Sequence, residues 1–121
     1  MKYKKIIAAL LAPCCLTACN SRPDDLSDEM YNCVESAIRA ADAYMDNHVS
    51  YEVTFQKIDG MYDRAEKIKE ENESAVNTSI LISMNGLKFE LLSEHSGYGT
   101  YADLLEERNT LAKKIGYSER D

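Results

Sequence analysis

The spacing of apolar residues constrains the fold of this chain more than any other feature. From Leu26 onward, apolar side chains recur every three and four residues, which is the period of one face of an α-helix. A half-buried strand would instead alternate apolar and polar residues with a period of two. The first helical segment covers 25–47, and further segments follow after short connections. The sequence therefore predicts an all-α fold, a small up-down bundle of three to four amphipathic helices in residues 26–121.

Capping residues give the expected boundaries of the later helices. Ser50 and Ser74 are good N-caps for the second and third helices, because a serine hydroxyl accepts a hydrogen bond from an unpaired N–H of the first turn. Thr100 with Asp103 resembles a capping box at the start of the fourth helix. Gly116 is the expected stop of that helix, since glycine readily adopts the left-handed conformation found at helix ends.

The apolar face of each helix indicates which residues enter the core. The first helix has a stripe of Leu26, Met30, Cys33, Ala37, Ala41, Tyr44 and His48. The second has Tyr51, Phe55, Ile58, Tyr62, Ala65 and Ile68. The third has Val76, Ile80, Met84, Leu87 and Leu91, with Leu81 and Leu92 beside them. The fourth has Tyr101, Leu104, Leu105, Arg108, Leu111, Ala112 and Ile115. Gly60 falls inside the second helix, and we expect it to mark a close contact between helices.

The N-terminal segment has the features of a secretory signal. A basic start is followed by an apolar run over 6–16. Eleven helical residues span about 16 Å, which is roughly half of a ~30 Å hydrocarbon core. The run is therefore too short for a lasting transmembrane helix, and it fits the apolar region of a signal peptide.

The end of this run, Leu16-Thr17-Ala18-Cys19, resembles the lipobox of bacterial lipoproteins. The resemblance implies that the sulfur of Cys19 carries diacylglycerol and that the chain is cut before it. Residues 1–18 would then be a signal peptide, and residues 19–25 the lipidated cysteine with a short tether. It also implies a lipid-anchored protein on the extracytoplasmic face of the cell membrane or the outer membrane.

Charge and cysteine content exclude several function classes. The chain has 14 basic and 21 acidic residues, and removal of 1–18 leaves 11 basic residues and a net charge of −10. A nucleic-acid binder needs basic residues to neutralise phosphates, so this class is not expected. Beyond Cys19 the only cysteine is Cys33, which leaves no intramolecular disulfide and no cysteine-based zinc site. Cys33 has a buried, inert thiol as its first interpretation and an intermolecular disulfide or a reactive thiol as its second.

Catalytic and metal-binding patterns are weak. His48 and His95 are isolated, and no Glu-x-x-His pair of the kind that di-metal bundles use is present. Ser96 beside Gly97-Tyr98-Gly99 is not a nucleophile elbow. Acidic pairs at helical spacing are interspersed with lysine and arginine and favour a solvated surface. We therefore expect no metal, no cofactor and no enzymatic activity.

Tyrosine is the most unusual component of the mature chain, with seven of the eight tyrosines against two Phe and no Trp. Tyr98 and Tyr101 flank the last loop, and Asp103 and Glu106 follow them. Because a tyrosine ring buries area while its hydroxyl stays hydrogen-bonded, these four residues are the candidate partner-binding residues. The first interpretation of the tyrosines as a group is that they edge a small core, and a partner surface is the second.

These features together predict a non-catalytic protein-interaction or accessory module at the cell envelope. Its expected partners are membrane lipid, through acylated Cys19, and an envelope protein with a basic surface. A small-ligand or ion binder that uses a cleft between helices is the alternative.

Overall fold

The fold is a four-helix bundle. The computed structural model describes residues 21–121, and within this range the chain forms helices and no strand. The helices are α1 (Asp28–Met45), α2 (Tyr51–Glu71), α3 (Ala75–Ser96) and α4 (Tyr101–Ile115). Each helix packs against the next, and α4 closes the bundle against α1. The predicted all-α up-down bundle is confirmed, with four helices.

The predicted caps of the last three helices are also confirmed. The Ser50 hydroxyl accepts from the Val53 N–H, and the Ser74 hydroxyl accepts from the N–H three residues ahead. Thr100 and Asp103 form a complete capping box. Gly116 ends α4 with φ of 75°, in the left-handed region.

The first helix is shorter than the predicted 25–47. The Leu26 N–H donates to the Pro23 carbonyl in a turn, and Ser27 caps the helix by accepting from the Met30 N–H. At the other end Asn47 has φ of 61°, which stops the helix before His48. His48 is therefore exposed in the connection and does not extend the apolar stripe.

The core fills the space between the helices with side chains from all four. The apolar residues with no exposed surface are Met30, Val34, Ala37, Ile38, Ala41, Ile58, Ala65, Met84, Leu87, Leu91, Leu104, Leu111, Ala112 and Ile115. Besides that for His48, three expectations about the helix faces were wrong. Tyr101 of the fourth stripe is 44% exposed. Gly60 has no neighbour within 4 Å of an added Cβ, and Leu92 is 45% exposed on the outside of α3. The close helix contact lies at Gly86, where a Cβ would overlap the Glu107 carboxylate of α4.

Cys33 lies inside the bundle. Its side chain is buried, and its thiol donates to the carbonyl oxygen of Met61 across the α1–α2 interface at 2.9 Å. Burial raises the pKa of this thiol to about 11, against a smaller opposing effect of the Arg64 charge. The expected burial of the thiol is confirmed, and its low reactivity stays a prediction.

A buried arginine fixes the C-terminal residues to the bundle. Arg108 donates through Nε and one terminal nitrogen to both carboxylate oxygens of Asp42 on α1, at 2.8 and 2.9 Å. Its other terminal nitrogen donates to the Ser118 carbonyl at 2.6 Å. Arg120 adds ion pairs to Asp42 and Asp46. The residues that follow α4 therefore fold back along α1 and α4.

The N-terminal residues of the described range are held against α1. Arg22 donates to the Leu26 carbonyl and to the Asp28 carboxylate, and its guanidinium lies over the Tyr31 ring. Cys19 and the predicted signal peptide lie outside the described residues. From Cys19 to Arg22 is three residues, or about 10 Å of extended chain. Among residues 21–121 no helix combines the length and the apolar composition that a bilayer span requires.

Candidate functional site at the tyrosine end

The topology brings four aromatic segments together at one end of the bundle. Because the helices alternate in direction, the end of α1, the start of α2, the end of α3 and the start of α4 meet there. The start of α1, which continues toward Cys19, is at the opposite end. We call the end formed by these four helix termini the tyrosine end.

A cleft of about 360 Å³ opens at the tyrosine end. It is lined by Tyr44, Met45, Asn47, Val49, Ser50, Tyr51, Glu94, His95 and Tyr101, and we call it the tyrosine cleft. Its walls come from all four helices and from the α1–α2 connection. A ligand held there would therefore contact every element of the fold.

Two contacts fix the side chains of the tyrosine cleft. The Tyr51 ring stacks on the His95 imidazole, with 4.0 Å between ring centroids and 1° between planes. The Tyr44 hydroxyl donates to the Glu94 carboxylate at 2.5 Å. Burial first, and the bond to Glu94 second, raise the pKa of Tyr44 to about 12. The Tyr44 hydroxyl, which is protonated at neutral pH like that of any tyrosine, gives the Glu94 carboxylate one fixed hydrogen-bond partner.

The lining of the tyrosine cleft has the chemistry of a cation site. Three tyrosines and one glutamate line the space, with one face of the Tyr51 ring covered by His95, and neither lysine nor arginine is among the lining residues. Aromatic faces attract an ammonium or guanidinium group through their quadrupoles, and a carboxylate adds a charge-assisted hydrogen bond. The side chain of a lysine or arginine meets both requirements.

The structure brings together only part of the predicted partner-binding set. Tyr98 is 92% exposed and Tyr101 is 44% exposed, and both lie at the tyrosine end. The Asp103 carboxylate is exposed but accepts from the Thr100 N–H in the capping box. Glu106 lines a different cleft, on the outer side of α4, with Asn109 and Thr110 among its neighbours. Tyr101 is the one member of the set that lines the tyrosine cleft.

Tyr44, Tyr51, Glu94 and His95 are site residues that sequence reasoning missed as a group. Tyr44 and Tyr51 were assigned to apolar faces, His95 was an isolated histidine, and Glu94 was not singled out. The available signal was topological, because each lies within a few residues of a connection at the same end of an up-down bundle. Residues at the end of α1, the start of α2 and the end of α3 must meet in that arrangement.

No metal centre accompanies the tyrosine cleft. Within residues 21–121 no group of three His, Cys, Asp or Glu side chains is placed to hold a metal ion. No protein family, no curated protein and no solved structure matches this chain.

Proposed function

We propose that this protein is a lipid-anchored, non-catalytic binding module on the extracytoplasmic face of a bacterial cell membrane or outer membrane. The proposed anchor is Cys19, on the motif Leu16-Thr17-Ala18-Cys19. A net charge of −10 in the mature chain supports this role of the lipid, since anionic headgroups repel such a domain. With only about 10 Å of extended chain between Cys19 and Arg22, the bundle stays close to the bilayer.

The tyrosine cleft carries the proposal because its position and its lining suit a neighbouring protein. It lies at the far end of the bundle from the proposed anchor, and α3 alone, at 22 residues, is about 33 Å long. An upright bundle would hold the cleft at the height of the outer loops of membrane proteins. Its occupant would be a lysine or arginine side chain of an envelope protein, bound by Glu94 and by the tyrosine rings.

Two variants test the anchor and the binding surface separately. Cys19→Ala should abolish incorporation of labelled fatty acid and release the protein from membranes, while unchanged labelling would disprove the lipidation. Tyr98→Ala with Tyr101→Ala should weaken co-purification of the partner from cross-linked native membranes. Val53→Ala with Lys57→Ala on α2 is the matched control, because both pairs are exposed and neither belongs to the core. Equal co-purification by the two double variants would contradict the proposed surface.

The size of the tyrosine cleft favours a second candidate, a small-ligand binder. A volume of about 360 Å³ lies within the range of small-molecule sites, ~300–1,000 Å³. A small cation would use the same Glu94 carboxylate and the same rings. Native mass spectrometry of the purified protein separates the candidates. A retained small molecule that Tyr101→Ala releases, without any cross-linked protein, would replace the protein partner by a ligand.

A further inference from the structure

The outer surface of α3 differs from that of an ordinary bundle helix. Eight residues of α3 are exposed, and seven of them follow strict intervals of three and four. We call these seven the α3 seam: Ala75, Thr78, Ile82, Asn85, Phe89, Leu92 and Ser96. None of the seven is charged. Ile82 is 67%, Phe89 63% and Leu92 45% exposed, so large apolar side chains lie in water along the middle of the helix.

We propose that the α3 seam is a self-association surface, on which α3 of a second copy of this chain packs in parallel. The alternating intervals of three and four are the heptad spacing of a two-stranded coiled coil. Ile82 and Phe89 occupy one heptad position, and Asn85 and Leu92 occupy the other. Such a face is covered when an identical helix lies beside it, since each residue then meets its own copy across a two-fold axis.

Charge identifies a second copy as the occupant. With a net charge of −10, two mature chains repel each other through most of their surfaces. The α3 seam is uncharged along its whole length, so two copies can meet there without placing like charges opposite one another. Two cations lie beside this surface: Lys88, paired with Asp59 of α2 at 2.6 Å, and Lys114 of α4, which donates to the Ser79 carbonyl at 3.1 Å.

Asn85 selects the parallel orientation. In a parallel pair Asn85 meets Asn85 of the second copy, and two amides can donate to and accept from each other. The antiparallel pairing that sets Ile82 against Leu92 would instead place Asn85 against Phe89 and leave a buried amide without a partner, which costs about 1–3 kcal/mol. A single core Asn fixes register in this way in known coiled coils.

Small residues beside the seam give α4 room to pack against α3 within one copy of the chain. Ser79, Gly86 and Ser93 follow the seam at intervals of seven on its α4 side. Gly86 already permits the Glu107 carboxylate of α4 to pack against α3. A parallel pair also keeps both N-termini at the same end, which two chains anchored in one membrane require. This last argument and the charge of −10 rest on the proposed lipoprotein signal, whereas the heptad spacing and Asn85 arguments do not.

Disulfide trapping of the full-length chain in membranes tests the orientation directly. Ile82→Cys should give a disulfide-linked dimer under mild oxidation, because parallel packing brings position 82 next to its own copy. Val53→Cys on α2, which is 57% exposed, is the matched control and should stay monomeric. The native cysteines are the same in both variants, so any difference reports the introduced thiol. Dimer with Val53→Cys at the level of Ile82→Cys would overturn the proposal.

A second pair of variants separates orientation, anchor and partner. Mixed Ile82→Cys and Leu92→Cys chains that link only to each other would show antiparallel pairing and overturn the parallel seam.

The Ile82→Cys dimer should persist with Cys19→Ala, and this result would support self-association even if lipidation is disproved. Ile82→Glu should reduce the dimer fraction at least tenfold at equal helicity. A foreign protein linked at position 82 in place of the second copy would also overturn the proposal.

Discussion

The outer faces of α2 and α3 are opposites on one small bundle. Of eleven exposed residues in α2, eight are charged, whereas the α3 seam has none. Both helices bury a full apolar face against the same core. An apolar stripe at helical spacing therefore identifies a buried face, whereas only the composition of the opposite face indicates whether the helix has a further partner.

The largest effect should come from the inner side of α3. Leu87→Ala removes a fully buried side chain and should lower the free energy of unfolding by about 2–5 kcal/mol. Phe89→Ala, two residues away on the α3 seam, should change it by less than about 0.5 kcal/mol in dilute protein. Urea denaturation followed by circular dichroism measures both. A similar loss of unfolding free energy for the two variants would mean that Phe89 is packed within the monomer. The outer face of α3 would then not be the exposed apolar surface that the α3 seam requires.

Helix positions were predictable because they depend on local chemistry. Ser50, Ser74 and Thr100 each supply a hydroxyl to the first turn of a helix, and this requirement is visible in the sequence alone. Leu92 was misassigned for a related reason. It follows Leu91 in a helix that is apolar on both sides, so periodicity could not decide which of the two enters the core.

The thiol of Cys33 tests how closely the inner face of α2 packs against α1. Its pKa of about 11, against 9.0 for a free thiol, makes the thiolate about 100-fold rarer in the native protein than in the unfolded chain at neutral pH. Alkylation by a thiol reagent should be slower by at least this factor in native protein. Rapid labelling without denaturant would show that α2 does not cover the thiol.

The Cys33 thiol also predicts a pH dependence of stability. Between about pH 9 and pH 11 the unfolded chain loses the Cys33 proton while the native protein keeps it, so the free energy of unfolding should fall as pH rises. Below pH 9 both states hold the proton and this contribution is constant. Cys33→Ala removes the group, and its stability should decline less over this interval. An equal decline in the free energy of unfolding for the unmodified chain and for Cys33→Ala would contradict the raised pKa of the thiol.

The smallest effects on stability should come from Gly60 on α2 and Gly86 on α3. Gly60→Ala on α2 meets open space and should raise the free energy of unfolding by up to about 1 kcal/mol, the helix-propensity difference. Gly86→Ala on α3 should gain less, because its Cβ would displace the Glu107 carboxylate. Thermal unfolding of both variants gives the order. A larger gain at Gly86 would mean that α3 and α4 are less closely packed than described.

The tyrosine cleft was less predictable than the helices. Tyr98 and Tyr101 were identified from their place beside a loop, which is a local feature. The stacking of Tyr51 on His95 and the bond from Tyr44 to Glu94 join residues 44 and 50 positions apart in the chain. Contacts at such separation depend on the length and direction of each helix, so they follow from the assembled bundle and not from any single segment.

Site-specific photo-cross-linking in native membranes can show whether the tyrosine cleft and the α3 seam bind different molecules. A photoreactive side chain replaces Tyr101, Phe89 or Gln56 in the full-length chain, one position at a time. Position 101 should link to another envelope protein, with a yield that falls as salt rises, because the proposed contact is ionic. Position 89 should link to a second copy of the chain, and position 56, on the charged face of α2, should link to neither. The same products at all three positions, or none at 101 and 89, would contradict the assignment of separate surfaces to partner and copy.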